Sequence, residues 1–134
     1  MDLQTVLPLI ARSFLAVIFV HSGINKLLNF AGTQETIASK GIPLPLIALI
    51  LTIAVEVIGG LLVILGYKAW LGALLLFLFL IPATLVFHNP LVDPTQLTQF
   101  LKNLSIMGGL LMVVAYGSGA LSLERSTTRW EKDL

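Results

Sequence analysis

Two charges stand where an apolar chain has no use for them. Glu56 is the one acid in the run LTIAVEVIGGLLVILG, from Leu51 to Gly66, and Arg12 lies inside an earlier apolar run that begins near Thr5. If these runs cross a membrane, at 1.5 Å per residue Glu56 sits roughly 15 Å from either end of its own, and Arg12 roughly 10 Å from the start of its own. A charge at the bilayer centre costs about 2.5–3.5 kcal/mol on insertion scales, so such groups turn inward and find a partner. The expectation is a structural ion pair, Arg12 with Glu56, tying the first run to the second. Glu56 is also the candidate catalytic group, because a buried carboxylate can take up and release protons. The plainer reading of Arg12 is a side chain that snorkels back to the interface. Glu56 is too short and too central for that.

A second set of polar residues gathers at the other end of the first run. His21, Ser22, Asn25 and Lys26 cover an arc of roughly 140° at helical spacing, and Gln96, Gln99, Lys102 and Asn103 one of about 120° in the last run. His88 closes the third run at the same level. These residues outline a polar chamber between the helices with Glu56 as its floor. His21, Lys102 and Asn103 are the candidate ligand-binding groups, and Asn25, Lys26, His88 and Gln99 the candidate outer rim. The plainer reading is that they anchor helix ends at the interface. No metal site is expected: the two histidines show no ligand spacing to a second donor, and there is no cysteine.

The elements that must position these groups follow from composition. Of 134 residues, 57% are hydrophobic and 11% charged, against roughly 25% charged in soluble domains. A span needs about 20 apolar residues, and four runs qualify: about Thr5–Leu28, Leu46–Leu65, Ala69–Phe87 and Leu97–Tyr116. Pro43, Pro45, Gly66, Asn89, Pro90, Pro94 and Gly117 punctuate the intervals. Pro82, inside the third run, should bend it. The first run is read as a span and not a cleaved signal, since no basic residue precedes it. NFAGTQETIASKGIP is too polar to span, but Phe30 and Ile37 are spaced as on one helix face, which predicts a short helix on the membrane surface. The expected fold is all-α: an antiparallel integral membrane four-helix bundle, one transmembrane domain over residues 1–134, with that short surface helix between the first two spans. Glycines at 59 and 60, and at 108 and 109, should let neighbouring helices approach closely. A net charge of +1 argues against nucleic acid as a partner.

Several segments in this order resemble the DoxX family of small four-helix bacterial membrane proteins. They are the intramembrane Arg12, GINKL (Gly23–Leu27), SKGIPLP (Ser39–Pro45), VEVIGGLLVILG, KNLSIMGGLL (Lys102–Leu111) and GSGALSLE (Gly117–Glu124). Arg12, Glu56, Lys102 and Asn103 match the family's pattern. The resemblance implies a multi-pass protein of the bacterial plasma membrane. It also implies a role as a membrane subunit of thiosulfate:quinone oxidoreductase or as a partner in redox or thiol homeostasis, with any thiol chemistry left to a partner.

Three functions compete. The first is a quinone-linked subunit or partner of a membrane redox complex. A quinone needs an apolar slot and hydrogen-bond donors for its oxygens; it is the one cofactor expected. If the chain serves an enzyme, the redox centre lies on a partner, since no haem, flavin or iron–sulfur motif is present. The second is a non-catalytic assembly or stabilising subunit, with the ion pair as a staple. The third is a small-solute or proton-coupled transporter, disfavoured by the lack of an inverted repeat. The expected partners are the lipid bilayer and either other membrane or redox proteins or further copies of the chain.

Orientation follows from basic residues near the span ends. Lys68, Arg125, Arg129 and Lys132 fall on the side of the termini, and Lys26, Lys40 and Lys102 on the other, which puts both termini in the cytoplasm. A cysteine placed at Asp93 should therefore react with a membrane-impermeant thiol reagent in intact cells, and one placed at Ser126 should not. Labelling of the Ser126 position alone would reverse the assignment.

Overall fold

The structure, a computed structural model, describes residues 2–123. Five helical segments follow one another. They are α1 (Leu3–Leu28), α2 (Phe30–Ser39), α3 (Pro45–Leu65), α4 (Ala69–Phe87) and α5 (Leu97–Tyr116), the last preceded by a 3₁₀ turn at Pro94–Gln96. Four of them, α1, α3, α4 and α5 with its leading turn, are long and apolar enough to cross a membrane. The short predicted helix is present as α2, with Ile37 buried. Arg125, Arg129 and Lys132, which carry much of the orientation argument, and Glu124, the end of the GSGALSLE segment, lie outside the described residues.

Each boundary has a local cause. Asp2 caps α1 through a side chain that accepts from the Gln4 N–H. Pro45 opens α3 at its first position, where a missing N–H costs nothing. Gly66 ends α3 in the left-handed conformation (φ 72°), and the Tyr67 N–H reaches back to the Leu62 carbonyl at 3.2 Å, closing a Schellman turn. The α4–α5 connection is held by Asp93, whose carboxylate accepts from the Thr95 hydroxyl and backbone N–H. Those bonds keep its pKa below the ordinary carboxylate value. Pro82 lies within α4, which runs unbroken to Phe87.

Glycine contacts set the register between helices. A Cβ on Gly23 would meet Val57 and Glu56, one on Gly60 would meet Val20 and the Ala16 carbonyl, and one on Gly66 would meet Arg12. Residue numbers rise along α3 as they fall along α1, so the two are antiparallel and nearly in backbone contact. The α3–α4 crossing is as close: a Cβ on Gly72 would stand 2.7 Å from the Gly59 carbonyl and 2.9 Å from the Leu62 Cβ. Gly109 packs on Leu15 of α1, whereas Gly108 faces open space. A core of Ala16, Phe19, Val63, Ala73, Leu76 and Leu110 fills the centre. Large apolar side chains such as Phe14, Leu28, Ile50, Leu78 and Met112 point outward, the surface that hydrocarbon requires of a spanning bundle.

Arg12 anchors the chain's last described segment. It is buried, and its guanidinium donates to three backbone carbonyls: Pro8 at 3.3 Å, Val63 at 3.4 Å, and Leu121. Beside it the Leu123 N–H donates to the Leu65 carbonyl at 3.0 Å. The segment after α5 is thereby folded against the α3 terminus, with Gly119 on Pro8 and Ser118 buried.

Gly72→Leu should force α3 from α4, since the obstructing atom is backbone. Overpacking of this kind costs about 1–3 kcal/mol. Gly108→Ala, at open space, should leave stability unchanged or raise it by up to about 1 kcal/mol, the helix propensity of alanine over glycine. Thermal unfolding of both variants in the same detergent checks the contrast.

Candidate functional site

The stretch Val55–Gly59 inside α3 is a π turn, flanked by α-helix on both sides. Such widened turns are local interruptions of the α-helical ladder and are frequent at functional sites. Glu56 is the polar residue of this one, and its side chain is 3% exposed. Its Oε1 pairs with Lys26 Nζ at 2.9 Å, and Nζ also donates to Ser22 Oγ at 2.6 Å, one turn back on α1. Gly23 lies between these two α1 residues and lets α1 come against the Glu56 backbone. Oε2 is buried with no hydrogen-bond partner among the described residues.

The expected Arg12–Glu56 pair is therefore corrected: the partner of Glu56 is Lys26. The reason is axial register. Arg12 stands beside Gly66 and the Val63 carbonyl, seven residues or roughly 10 Å along α3 from Glu56. The first turns of α1 run past the end of α3, so depth counted from helix ends placed Arg12 too close to the midplane. Lys26, assigned to the outer rim, reaches inward along its own helix instead, with 27% of its side chain exposed.

The pair borders a cavity of about 640 Å³, within the roughly 300–1,000 Å³ of small-molecule sites. α1 contributes Phe19, Ser22 and Lys26, and α2 contributes Thr33, Thr36 and Ile37. α3 adds Ala48, Thr52 and Glu56, α4 adds Phe79, Ala83, Phe87 and others, and α5 adds Gln99, Asn103 and Ile106. The walls are mainly apolar, so the expected polar chamber is an apolar slot with polar groups at particular points. Thr84, outside the lining, holds one of them: Asn103 Nδ2 donates to its Oγ1 at 3.0 Å, and Gln99 Nε2 donates to Asn103 Oδ1 at 3.1 Å. Of the lining residues, His88 donates through Nδ1 to Gln96 Oε1 at 2.8 Å, and the Phe87 ring centroid is 5.8 Å from Lys40 Nζ.

Of the residues singled out from sequence, Glu56, Lys26, Asn103, His88 and Gln99 come together around this space. His21, Asn25 and Lys102 do not: all three are exposed on the outside of the bundle and none lines the cavity. Their arcs adjoin the inward stripes of α1 and α5, which is why spacing alone included them. Sequence reasoning missed the Lys26–Glu56 pairing, Thr84 and the π turn. The first had a signal in Gly23, which marks a close approach of α1 to α3 beside Glu56. No group of histidine and acidic side chains suited to a metal ion occurs among the described residues.

The DoxX family model matches residues 7–89. The chain is 34% identical over 128 residues to "Inner membrane protein YphA" of Escherichia coli (strain K12), covering 91% of each chain. It is 32% identical over 126 residues to "Inner membrane protein YqjF" of the same organism, covering 92% of this chain and 93% of that one. It is also 37% identical over 87 residues to "Surfeit locus protein 4 homolog" of Drosophila melanogaster, covering 56% of this chain and 32% of that one. No solved structure matches.

The ion pair makes a quantitative prediction. Glu56→Gln and Lys26→Met should be coupled in a double-mutant cycle by about 0.5–3 kcal/mol, whereas Glu56→Gln and Arg12→Met should add to within about 0.5 kcal/mol. Denaturant unfolding of the three single variants, the two double variants and wild type in mixed micelles decides it. Coupling of Glu56 to Arg12 and not to Lys26 would reject the geometry.

Proposed function

The chain is a member of the DoxX family and a multi-pass membrane protein, and we propose that it serves as a quinone-linked subunit or partner of a membrane redox complex, in the bacterial plasma membrane with both termini in the cytoplasm. The observation that carries this reading is the cavity: an apolar slot within the spanning helices, with an ion pair at its inner end and amide and hydroxyl groups beside it. A quinone ring with an isoprenoid tail asks for such surroundings, and its oxygens need hydrogen-bonding groups. The residues present fit that group: Phe19, Phe79 and Phe87 supply flat apolar wall, and Lys26, Asn103 and Thr52 supply polar contacts. The bound quinone would supply electron-accepting or electron-donating capacity. The chain's own residues orient the ring, keep water from it, and hold a carboxylate at its edge that can exchange a proton. The electrons come from a partner protein.

A second reading, an assembly subunit without a ligand of its own, draws support from the outer surface. His21, Asn25 and Lys102 are exposed there on spanning helices, and polar side chains facing hydrocarbon favour contact with another chain.

The two readings separate on purification from native membranes with solvent extraction of bound quinone. The expected result is quinone at near-stoichiometric amount in wild type. Asn103→Leu should lower the retained quinone about 2- to 10-fold, the value of one hydrogen bond. Lys102→Met, away from the cavity, should leave it unchanged. No retained quinone, with partner proteins still co-purifying, would favour the assembly reading.

A further inference from the structure

The spanning helices form two pairs. α1 and α3 run in near-backbone contact from Gly23 beside Glu56 to Gly66 beside Arg12. α4 and α5 pack closely on each other, and the Asn103–Thr84 bond joins them inside. The pairs meet through Leu15 of α1 on Gly109 of α5, and through Gly59 of α3 on Gly72 and Leu76 of α4. On every helix these meeting points lie farther from the α2 end than any residue that lines the cavity. The lining falls at 18–26 on α1, 48–56 on α3, 79–88 on α4 and 99–106 on α5. The cavity is therefore a cleft between two helix pairs that touch at one end and stand apart at the other.

The flanks of this cleft lie at the level of hydrocarbon. Ile18, Pro82 and Val86 line the cavity and are also exposed. One turn from Ile18 stands Phe14, and one turn from Pro82 stands Leu78, both exposed on the outside of the bundle. At helical spacing the cavity wall on α1 and on α4 thus runs into the outer surface. Toward water the cleft is roofed by α2. Thr33, Thr36 and Ile37 line it, Ile37 is buried, and Lys40 reaches across to α4, its Nζ 5.8 Å from the Phe87 ring centroid.

On the reading above that the cavity is a ligand site, we infer that it opens sideways into the bilayer, so that its ligand is a membrane-dissolved amphiphile taken up between the two helix pairs, and not a water-borne solute. Such a molecule keeps its tail in hydrocarbon while its head lies among the few polar groups of the cleft, Thr52, Gln99 and Asn103 among them.

The test uses nitroxide labels in nanodiscs, on single cysteines that the cysteine-free chain receives without ambiguity. Ala83→Cys and Thr52→Cys place labels on the two walls, and Leu85→Cys, exposed on α4 two residues from Ala83, places the lipid-facing control. The readout is the collision rate of each label with oxygen, which dissolves in hydrocarbon, and with nickel(II) ethylenediaminediacetate, which does not. Both wall labels should favour oxygen by about 10-fold or more, as the control does, because hydrocarbon excludes the polar complex. Each wall is read separately, so a label that upsets one leaves the other informative. Nickel collisions at the walls equal to those of oxygen, with the control unchanged, would show an opening to water and overturn the inference. Few collisions with either reagent would show a closed chamber and overturn it too. Added decyl-quinone should then lower the oxygen collisions at Ala83 and Thr52 and leave those at Leu85 as they were. An oxygen-rich cleft that decyl-quinone does not protect would uphold the sideways opening and overturn the quinone reading alone.

Discussion

A carboxylate within hydrocarbon must be answered by a cation, and in this protein the answer determines how two helices meet. Lys26 meets Glu56 where α1 lies almost in backbone contact with α3, and Gly23 supplies the room for that approach. The same approach continues along the pair, where Gly60 admits Val20 and the Ala16 carbonyl. In lipid no hydrophobic force draws helices together, so small residues and polar contacts must do it. Here both act along one seam. The ion pair fixes where α1 and α3 meet, and the glycines let them stay there over several turns.

The two ends of the bundle solve the problem of buried charge differently. At one level a cation meets an anion beside a cavity that both residues line. At the other, Arg12 spreads its charge over three backbone carbonyls, including that of Leu121 beyond the last helix. The rigid fork of a guanidinium suits the second task, since it can satisfy several acceptors on different segments at once. The flexible ammonium of Lys26 suits the first. The structure therefore separates an anchoring cation from one that borders a ligand-sized space.

Reading the sequence recovered the architecture almost whole. Four apolar runs bounded by glycine and proline became four helices long enough to span, and Gly66 and Gly117, marked as breakers, end α3 and α5 at positive φ. The spacing of Phe30 and Ile37 correctly marked α2 as a helix. The site was legible in part. That Glu56 would be buried against a cation followed from the cost of its charge; which cation did not, because α1 and α3 are joined through α2 and nothing in their lengths fixes how far one slides along the other. His21 and Lys102 failed for a related reason. An arc of polar residues on a helix shows which side is polar, and the side that faces inward depends on rotation about the axis. Asn103 was identified, but its partner Thr84 was not, since a single threonine in an apolar run carries no pattern.

The π turn at Val55–Gly59 has a consequence for the length of α3. It amounts to a one-residue insertion carried by a helix that otherwise keeps its direction. Winding the same residues as regular α-helix would turn Gly60–Leu65 by about 100° against Pro45–Ala54, the angle one residue subtends. Gly60 would leave Val20, and the Val63 carbonyl would leave Arg12. The wide turn thus sets the phase of the helix, letting it show Thr52 and Glu56 to the cavity at one end and the Val63 carbonyl to Arg12 at the other.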